Sequence, residues 1–247
     1  MKRISVFLSI VLIMGTLVAC GNSGKNETAK GVIKKSQKDV KSGTESQQSL
    51  EENNDNNKQE DKKESLNSNI LIAYFTVPET DGVDTVASAS RVVTADGVLG
   101  NTEFIATEIQ KNIGGDLFAI ETEQEYPGTH DKLLQFAYNE KSDNARPKLA
   151  THIDNLNDYD YIFVGYPNWN ADLPMPLYSF FEEYDFSGKT IIPFVTHGGS
   201  SFSSTIQTIQ RMEPDATVVK DGLSVSRNNV ANSQADVKKW TDMLISD

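Results

Sequence analysis

Three short apolar runs constrain the fold of this chain more than any other feature of its sequence. They occupy residues 70–75, 161–164 and 190–195. None of them alternates apolar with polar residues, which is the pattern expected of strands that are buried on both faces. Strands are buried in this way mainly in parallel sheets with helices on either side, so these runs predict an α/β fold.

Helical periodicity occupies the segments between these strands. Ile105, Ile109 and Ile113 recur every fourth residue, and a pair of glycines follows them, which predicts a helix ending at Gly114. Similar patterns predict helices within residues 129–143, 176–184, 206–212 and 233–244, and weaker strand signals lie at 117–120, 217–219 and 223–225. Strands and helices thus alternate five times, which predicts a doubly wound parallel sheet with right-handed crossovers.

The first residues of the chain have a different composition. Residues 1–19 begin with Lys2 and Arg3 and continue with an apolar stretch, which is typical of a secretory signal peptide and short for a membrane span. The Leu-Val-Ala-Cys sequence that ends at Cys20 resembles the lipobox of bacterial lipoproteins. The resemblance implies cleavage before Cys20 and a lipid anchor on its sulfur, at the outer face of the cell membrane. An ordinary signal peptide or an uncleaved anchor is the alternative.

Residues 20–69 are predicted to be the lipidated cysteine and a disordered tether. This segment is rich in Asn, Lys, Glu, Ser and Gln and has almost no large apolar residue. It therefore cannot bury enough surface to offset the entropy cost of ordering. A tail that binds the cell wall or a partner is the alternative.

Residues 70–247 form the predicted working domain. They carry 12 Lys and Arg residues against 26 Asp and Glu residues, a net charge of −14. This charge disfavours nucleic acid and anionic membrane surfaces as partners and favours a basic one. Cys20 is the only cysteine of the chain, which excludes disulfides and Cys-x-x-Cys chemistry. The three histidines lack metal-ligand spacing, and no Gly-x-Ser-x-Gly turn indicates a hydrolase.

The loops after the first, third and fourth strands are the candidate binding site. Doubly wound sheets bind ligands at the carboxyl ends of their strands, where the strand order reverses. The first loop begins with Thr76 and Val77 and ends, after a long insertion, with Gly100, Asn101 and Thr102. The helix that starts there has unpaired N–H groups and a dipole that favour an anion such as phosphate. Alternatively, Asn101 is only a helix cap.

The loop after the third strand contains Pro167, Asn168, Trp169 and Asn170. A Trp directly after a strand is expected to be half exposed, and the prolines and asparagines of this loop favour a stiff turn. Such a Trp could stack on a planar ring. The alternative is a Trp that folds back onto the helices of its own domain.

The loop after the fourth strand contains His197, Gly198, Gly199 and Ser200. Two consecutive glycines let the backbone approach a ligand closely and expose its N–H groups. His197 could act as an acid or base, or could only order the loop.

These motifs together resemble the flavodoxin family, in particular the flavodoxin-like domains of bacterial lipoproteins. The matching pieces are residues 73–76 with 100–103, 163–169, 186–194 and 196–200, which follow one another in order across 70–247. The resemblance implies a three-layer sandwich around a five-stranded parallel sheet of order 2-1-3-4-5. It also implies FMN as the cofactor.

The resemblance assigns a part of FMN to each loop. Thr76, Asn101 and Thr102 would hold the phosphate, residues 167–169 would flank the isoalloxazine ring, and residues 198–200 would contact the far edge of the ring. No residue is assigned as a catalytic residue or as a metal ligand.

The phosphate loop departs from the usual pattern of the family. That loop is ordinarily compact, whereas here the insertion at residues 78–99 divides it. Either the insertion loops outward and the two halves still meet, or Thr94 or Ser90 supplies a missing hydroxyl. If the insertion abolishes FMN binding, the domain would be an interaction module only.

The resemblance predicts an electron carrier that is anchored outside the cell and exchanges electrons with a redox protein or a membrane donor or acceptor. The alternative is an NAD(P)H-dependent flavin, quinone or azo reductase on the same fold, with His197 or Tyr166 as the proton donor. The sequence has no Gly-x-Gly-x-x-Gly motif and no basic cluster for NADP, which disfavours this alternative.

Overall fold

The computed structural model describes residues 69–80, 90–95 and 97–245. The predicted signal peptide, the lipidated Cys20 and the tether up to residue 68 lie outside the described residues. Within the described ranges, no helix combines the length and the apolar character that crossing a membrane requires.

Eight strands and five helices follow one another along the described chain. The strands are β1 (Ile70–Tyr74), β2 (Arg91–Thr94), β3 (Gly97–Gly100), β4 (Asp116–Ala119), β5 (Tyr161–Pro167), β6 (Thr190–His197), β7 (Thr217–Val218) and β8 (Leu223–Ser226). The helices are α1 (Asn101–Ile113), α2 (His130–Ser142), α3 (Met175–Glu183), α4 (Thr205–Met212) and α5 (Gln234–Ile245).

The main sheet has the strand order β4-β1-β5-β6, and both β7 and β8 pair with the outer side of β6. All of these pairings are parallel. The hairpin strands β2 and β3 are not part of this sheet, and β7 and β8 share one position. When the strands of the main sheet alone are numbered in chain order, their order is 2-1-3-4-5. The predicted topology is confirmed, with a fifth position that is divided between two short strands.

A proline in β6 explains why the fifth position is divided. Thr190 and Ile191 pair with β7, whereas residues 194–197 pair with β8. Ile191 accepts a hydrogen bond from the Val219 N–H at 2.9 Å, so Pro193, two residues later, presents its backbone nitrogen to the same side. Proline has no N–H to donate, and the ladder is interrupted there.

Each face of the sheet has its own hydrophobic cluster. Helices α1 and α5 cover one face, where Ile105, Ile109 and Trp240 are buried. Helices α2, α3 and α4 cover the other face, where Leu133 and Leu177 are buried. The three predicted layers are therefore present. The connection from β1 to β4 passes over one face of the sheet through α1, and the connection from β4 to β5 passes over the other face through α2. A crevice therefore forms at the carboxyl ends of β1 and β5.

The insertion contains a feature that the sequence analysis does not predict. Strands β2 and β3 form an antiparallel hairpin, in which Arg91 pairs with Gly100. Val92 is buried in the cluster beneath α1 and α5, while Val93 is 71% exposed. The hairpin thus packs onto the domain and returns the chain to the start of α1.

Candidate functional site

A cavity of about 310 Å³ opens at the carboxyl ends of β1, β5 and β6. This volume lies at the lower end of the range of small-molecule sites. All three predicted loops contribute to its walls. Every predicted binding residue except Gly100 lines it: Thr76, Val77, Asn101, Thr102, Pro167, Asn168, Trp169, Asn170, His197, Gly198, Gly199 and Ser200.

Gly100 joins the two halves of the divided loop. A Cβ atom at this position would lie 2.0 Å from Thr76 Oγ1, so the halves are in contact despite the insertion between them. The two halves of the loop therefore still meet, while residues 81–89 of the insertion lie outside the described residues. Ser90 also lines the cavity, whereas Thr94 donates its hydroxyl hydrogen bond to Gly97 O within the hairpin.

The amino end of α1 is already partly satisfied by the chain itself. The Gly100 N–H donates to the Glu103 carboxylate at 3.0 Å, and the Asn101 N–H donates to the Ser90 carbonyl at 3.0 Å. The buried hydroxyls of Thr102 and Thr196 are hydrogen-bonded to each other at 2.9 Å. An anion at this helix end therefore meets fewer backbone donors than the sequence predicts.

Trp169 lines the cavity but is not half exposed, as the sequence analysis expects. Only 6% of its surface is exposed. Its ring packs against Phe75 at a centroid distance of 5.4 Å in edge-to-face geometry, and against Tyr126 at 5.6 Å. The indole therefore belongs to an aromatic cluster of the domain and presents only its remaining surface to the cavity.

A tight turn places the indole in that cluster. The backbone N–H groups of Trp169 and Asp172 each donate to the carbonyl of the other residue, at 3.3 and 3.0 Å. Between them, Asn170 and Ala171 have φ values of 52° and 58°. Two successive positive φ angles define a type I′ turn, which reverses the chain within two residues. The reversal directs Trp169 back onto the domain.

Asn168 connects the second and third loops of the site. Its backbone N–H donates to Thr196 O at 2.8 Å, and its Nδ2 donates to Ser201 O at 2.7 Å and Ser203 Oγ at 3.0 Å. Its Oδ1 is buried and accepts no hydrogen bond from the described residues. A buried acceptor without a donor is costly, so a ligand N–H or O–H group here would remove an existing penalty.

His197 orders its own loop. Its Nδ1 accepts a hydrogen bond from the Gly199 N–H at 2.9 Å, which requires an unprotonated Nδ1. Burial lowers the pKa of His197 and so favours the same neutral form. Of the two interpretations of this residue, the structure favours the ordering of the loop.

Tyr166 does not fit the role of a proton donor at the cavity. It is fully buried, does not line the cavity and donates its hydroxyl hydrogen bond to Thr205 Oγ1 at 2.9 Å. Burial raises the pKa of Tyr166. The choice of Tyr166 as a candidate proton donor is therefore wrong.

Several residues of the wall were not predicted as site residues. They are His130, Leu133 and Leu134 at the start of α2, together with Ala171, Thr196 and Arg227. Arg227 directly follows β8, so applying the strand-end rule to the fifth strand as well would have found it. Nothing in the local sequence marks the α2 residues as part of a binding site, because their position depends on the loop that leads into the helix.

A buried carboxylate lies behind His130. Glu79 is 3% exposed, and its Oε1 is 3.8 Å from His130 Nδ1. Both carboxylate oxygens lack a hydrogen-bond partner among the described residues. The Arg91 guanidinium donates instead to the main-chain carbonyls of Glu79 and Thr80. Burial raises the pKa of Glu79, and the charges of His130, Arg227 and Arg91 limit the rise.

We expect Glu79→Gln to raise the free energy of unfolding at pH 8 by about 1 kcal/mol, the low end for an unsatisfied buried polar group. A carboxyl group whose pKa is raised by folding destabilises the folded state when ionised, and this cost disappears as the pH falls through the folded pKa. Urea unfolding at pH 8 and pH 5 should therefore show a more stable variant at pH 8 and a smaller difference between the two proteins at pH 5. Glu125→Gln, at an exposed position, is the control. A variant that is less stable than the wild type at pH 8 would instead show that His130, Arg227 and Arg91 stabilise the ionised carboxylate of Glu79.

The domain is similar to known proteins both in sequence and in structure. The sequence model of the flavodoxin family, described as "Flavodoxin", matches residues 90–244, more than half of the chain. Among curated proteins, none matches the chain at a significant level.

The solved structures that are similar to the domain include the following three. A protein of Bacteroides eggerthii DSM 20697 that is assigned as a flavoprotein is 24% identical, with a TM-score of 0.53, over 73% of this chain and 100% of that one. A protein of Bacteroides uniformis ATCC 8492 with the same assignment is 25% identical, with a TM-score of 0.50, over 70% and 97%. A flavoprotein of Lactobacillus acidophilus NCFM, solved in complex with FMN, is 19% identical, with a TM-score of 0.48, over 70% and 99%.

Proposed function

The chain belongs to the flavodoxin family, and on this premise we propose that its cavity binds FMN and that the protein carries electrons between redox partners. One observation carries the proposal. The three loops that hold the family's motifs lie far apart in the sequence, yet they form the walls of one cavity.

The composition of the walls fits a flavin phosphate. Among the described residues that line the cavity, none is Asp or Glu, although the domain carries a net charge of −14. Thr76, Thr102 and Ser90 supply hydroxyl groups at the end where α1 begins. Gly198 and Gly199 present backbone without side chains in the loop after β6, and Asn168 Oδ1 is a buried acceptor without a donor among the described residues.

The residues of the chain would bind and orient the cofactor rather than react. FMN, when bound, accepts and releases electrons, while the protein supplies its position and electrostatic environment. Thr76 and Thr102 would hold the phosphate. Asn168 fixes the two ring-side loops against each other, and Trp169 closes the wall beneath them. The hydrogen bond from the Gly199 N–H occupies His197 Nδ1, so the loop is ordered without supplying a proton from that atom.

We propose further that the domain is held at the outer face of the cell membrane by lipid on Cys20. The support for this is the lipobox-like sequence and the polar segment that follows it. The acidic domain would then meet a redox partner through a basic surface on that partner.

Reduction of the flavin-loaded protein distinguishes a carrier from a reductase. Under anaerobic conditions, photoreduction should bleach the bound flavin fully, whereas NADH and NADPH should reduce it far more slowly than a mediator dye does. Because Tyr166 does not line the cavity and His197 Nδ1 is occupied by the Gly199 N–H, we expect no rapid turnover with quinones. Fast and stoichiometric reduction by NADH or NADPH would overturn the carrier proposal in favour of the reductase.

A further inference from the structure

Arg227 stands out among the residues of the cavity. Apart from the histidines, it is the one ionisable cationic side chain among the described residues that line the cavity. Its backbone is fixed, because the Arg227 N–H donates to His197 O at 2.8 Å beside the end of β6. Its guanidinium lies against Gly198, where an added Cβ would be 3.5 Å from Arg227 Cζ.

The guanidinium of Arg227 makes no hydrogen bond and no ion pair with the described residues. Arg146, in contrast, pairs with Glu182 at 2.7 Å and also donates to main-chain carbonyls. A guanidinium carries five donors in a planar fork that matches the geometry of a phosphate or a carboxylate. Arg227 is half-buried, so its unused donors have limited access to water and point to an anionic ligand.

The surroundings of Arg227 indicate which end of the cavity it serves. The Thr102 hydroxyl, in the first turn of α1, is hydrogen-bonded to the Thr196 hydroxyl at 2.9 Å. The next residue along β6, His197, accepts the Arg227 N–H at its carbonyl. Arg227 is therefore on the side of the cavity where α1 begins, which is where the hydroxyls of Thr76 and Thr102 lie.

A further donor is needed at that end. Glu103 and Ser90 already occupy two backbone N–H groups of the helix start, and the Glu103 carboxylate adds negative charge there. A phosphate monoester carries a charge of about −1.5 to −2 at pH 7. In a domain with a net charge of −14, a cation in direct contact offsets this repulsion more effectively than distant charges do.

We propose that Arg227 binds the phosphate of FMN and that it makes the site select FMN over riboflavin. This inference rests on the proposed function, since it assumes a flavin in the cavity. In a chain whose phosphate loop is divided, Arg227 would replace part of the binding that the interrupted loop would supply.

The test measures the dissociation constants of FMN and riboflavin by quenching of flavin fluorescence in the full-length wild-type chain, Arg227→Gln and Arg227→Lys. We expect Arg227→Gln to weaken FMN binding by about 10- to 100-fold, the range for a hydrogen bond to a charged group, and to leave riboflavin binding within about threefold. Arg227→Lys should lose less, because it keeps the charge but not the fork. Lys220→Gln, at an exposed position, controls for the change in net charge.

The outcomes separate this inference from the function on which it rests. A wild-type chain that binds neither flavin overturns both. If the wild type binds FMN and Arg227→Gln binds it equally well, only the role of Arg227 is overturned. Equal weakening of FMN and riboflavin would also overturn it, because it would place Arg227 at the ring or in the ordering of the Gly198 loop. A selective loss of FMN affinity supports it.

Discussion

Trp169→Ala is expected to destabilise the folded domain by about 3 to 5 kcal/mol, the usual cost of removing a buried large aromatic side chain. Trp169 is 6% exposed and packs against both Phe75 and Tyr126. Its loss would leave a void beneath the cavity and release the wall formed by residues 167–171. FMN binding should fall with stability, because the wall and the cluster share this one side chain. Urea unfolding and FMN titration of the same preparations measure the two effects.

Trp169→Phe is the matched variant for this experiment. It keeps an aromatic ring beside Phe75, so a smaller loss of stability than for Trp169→Ala is expected. The account would be contradicted by a Trp169→Ala protein that is as stable as the wild type. An unchanged stability with lost FMN binding would instead mean that the indole serves the ligand alone.

Gly100→Ala is expected to weaken FMN binding by more than tenfold and to cost about 1 to 3 kcal/mol of stability, the usual range for overpacking. The added Cβ would lie 2.0 Å from Thr76 Oγ1 and 2.9 Å from Thr76 Cβ. The whole Thr76 side chain must then move, and with it a hydroxyl that lines the cavity. The measurements are the dissociation constant of FMN and the midpoint of urea unfolding.

Thr76→Gly in the Gly100→Ala background tests the cause. Removal of the Thr76 side chain relieves the contact, so the double variant should recover stability relative to Gly100→Ala. It should not recover FMN affinity, because the Thr76 hydroxyl is then missing. A double variant that is no more stable than Gly100→Ala would show that the contact with Thr76 is not the source of the loss.

The α/β class of the main sheet could be predicted because its central strands are apolar on both faces, whereas its strand order was implied only by the resemblance to the flavodoxin family. Residues 70–74, 161–167 and 190–197 are almost wholly buried, and their hydrophobic runs report this directly. The division of the fifth strand is harder to predict. It depends on the side to which Pro193 presents its nitrogen, which only the strand pairing decides.

The hairpin in the insertion was missed although it has a local signal. Asp96-Gly97 stands between two short apolar pairs, which is a typical hairpin sequence. Val92 is buried while its neighbour Val93 is exposed, an alternation that the sequence does not show because both residues are valine.

The walls of the cavity could be predicted where they follow strand ends, and not where they depend on tertiary packing. Residues 167–170 and 197–200 follow β5 and β6, so the rule for parallel sheets identifies them. The burial of Trp169 depends on Tyr126, which reaches it from a different loop. The approach of Arg227 to Gly198 likewise requires the pairing of β8 with β6.

Titration of FMN into the flavin-free, full-length protein tests the central claim most directly. FMN fluorescence should be quenched to a one-to-one end point, with a perturbed visible absorption spectrum, and riboflavin should bind more weakly because it lacks the phosphate. A protein that leaves the fluorescence and spectrum of FMN, FAD and riboflavin unchanged would contradict the account. The cavity would then be a feature of the fold without a flavin, and Trp169 only a core residue.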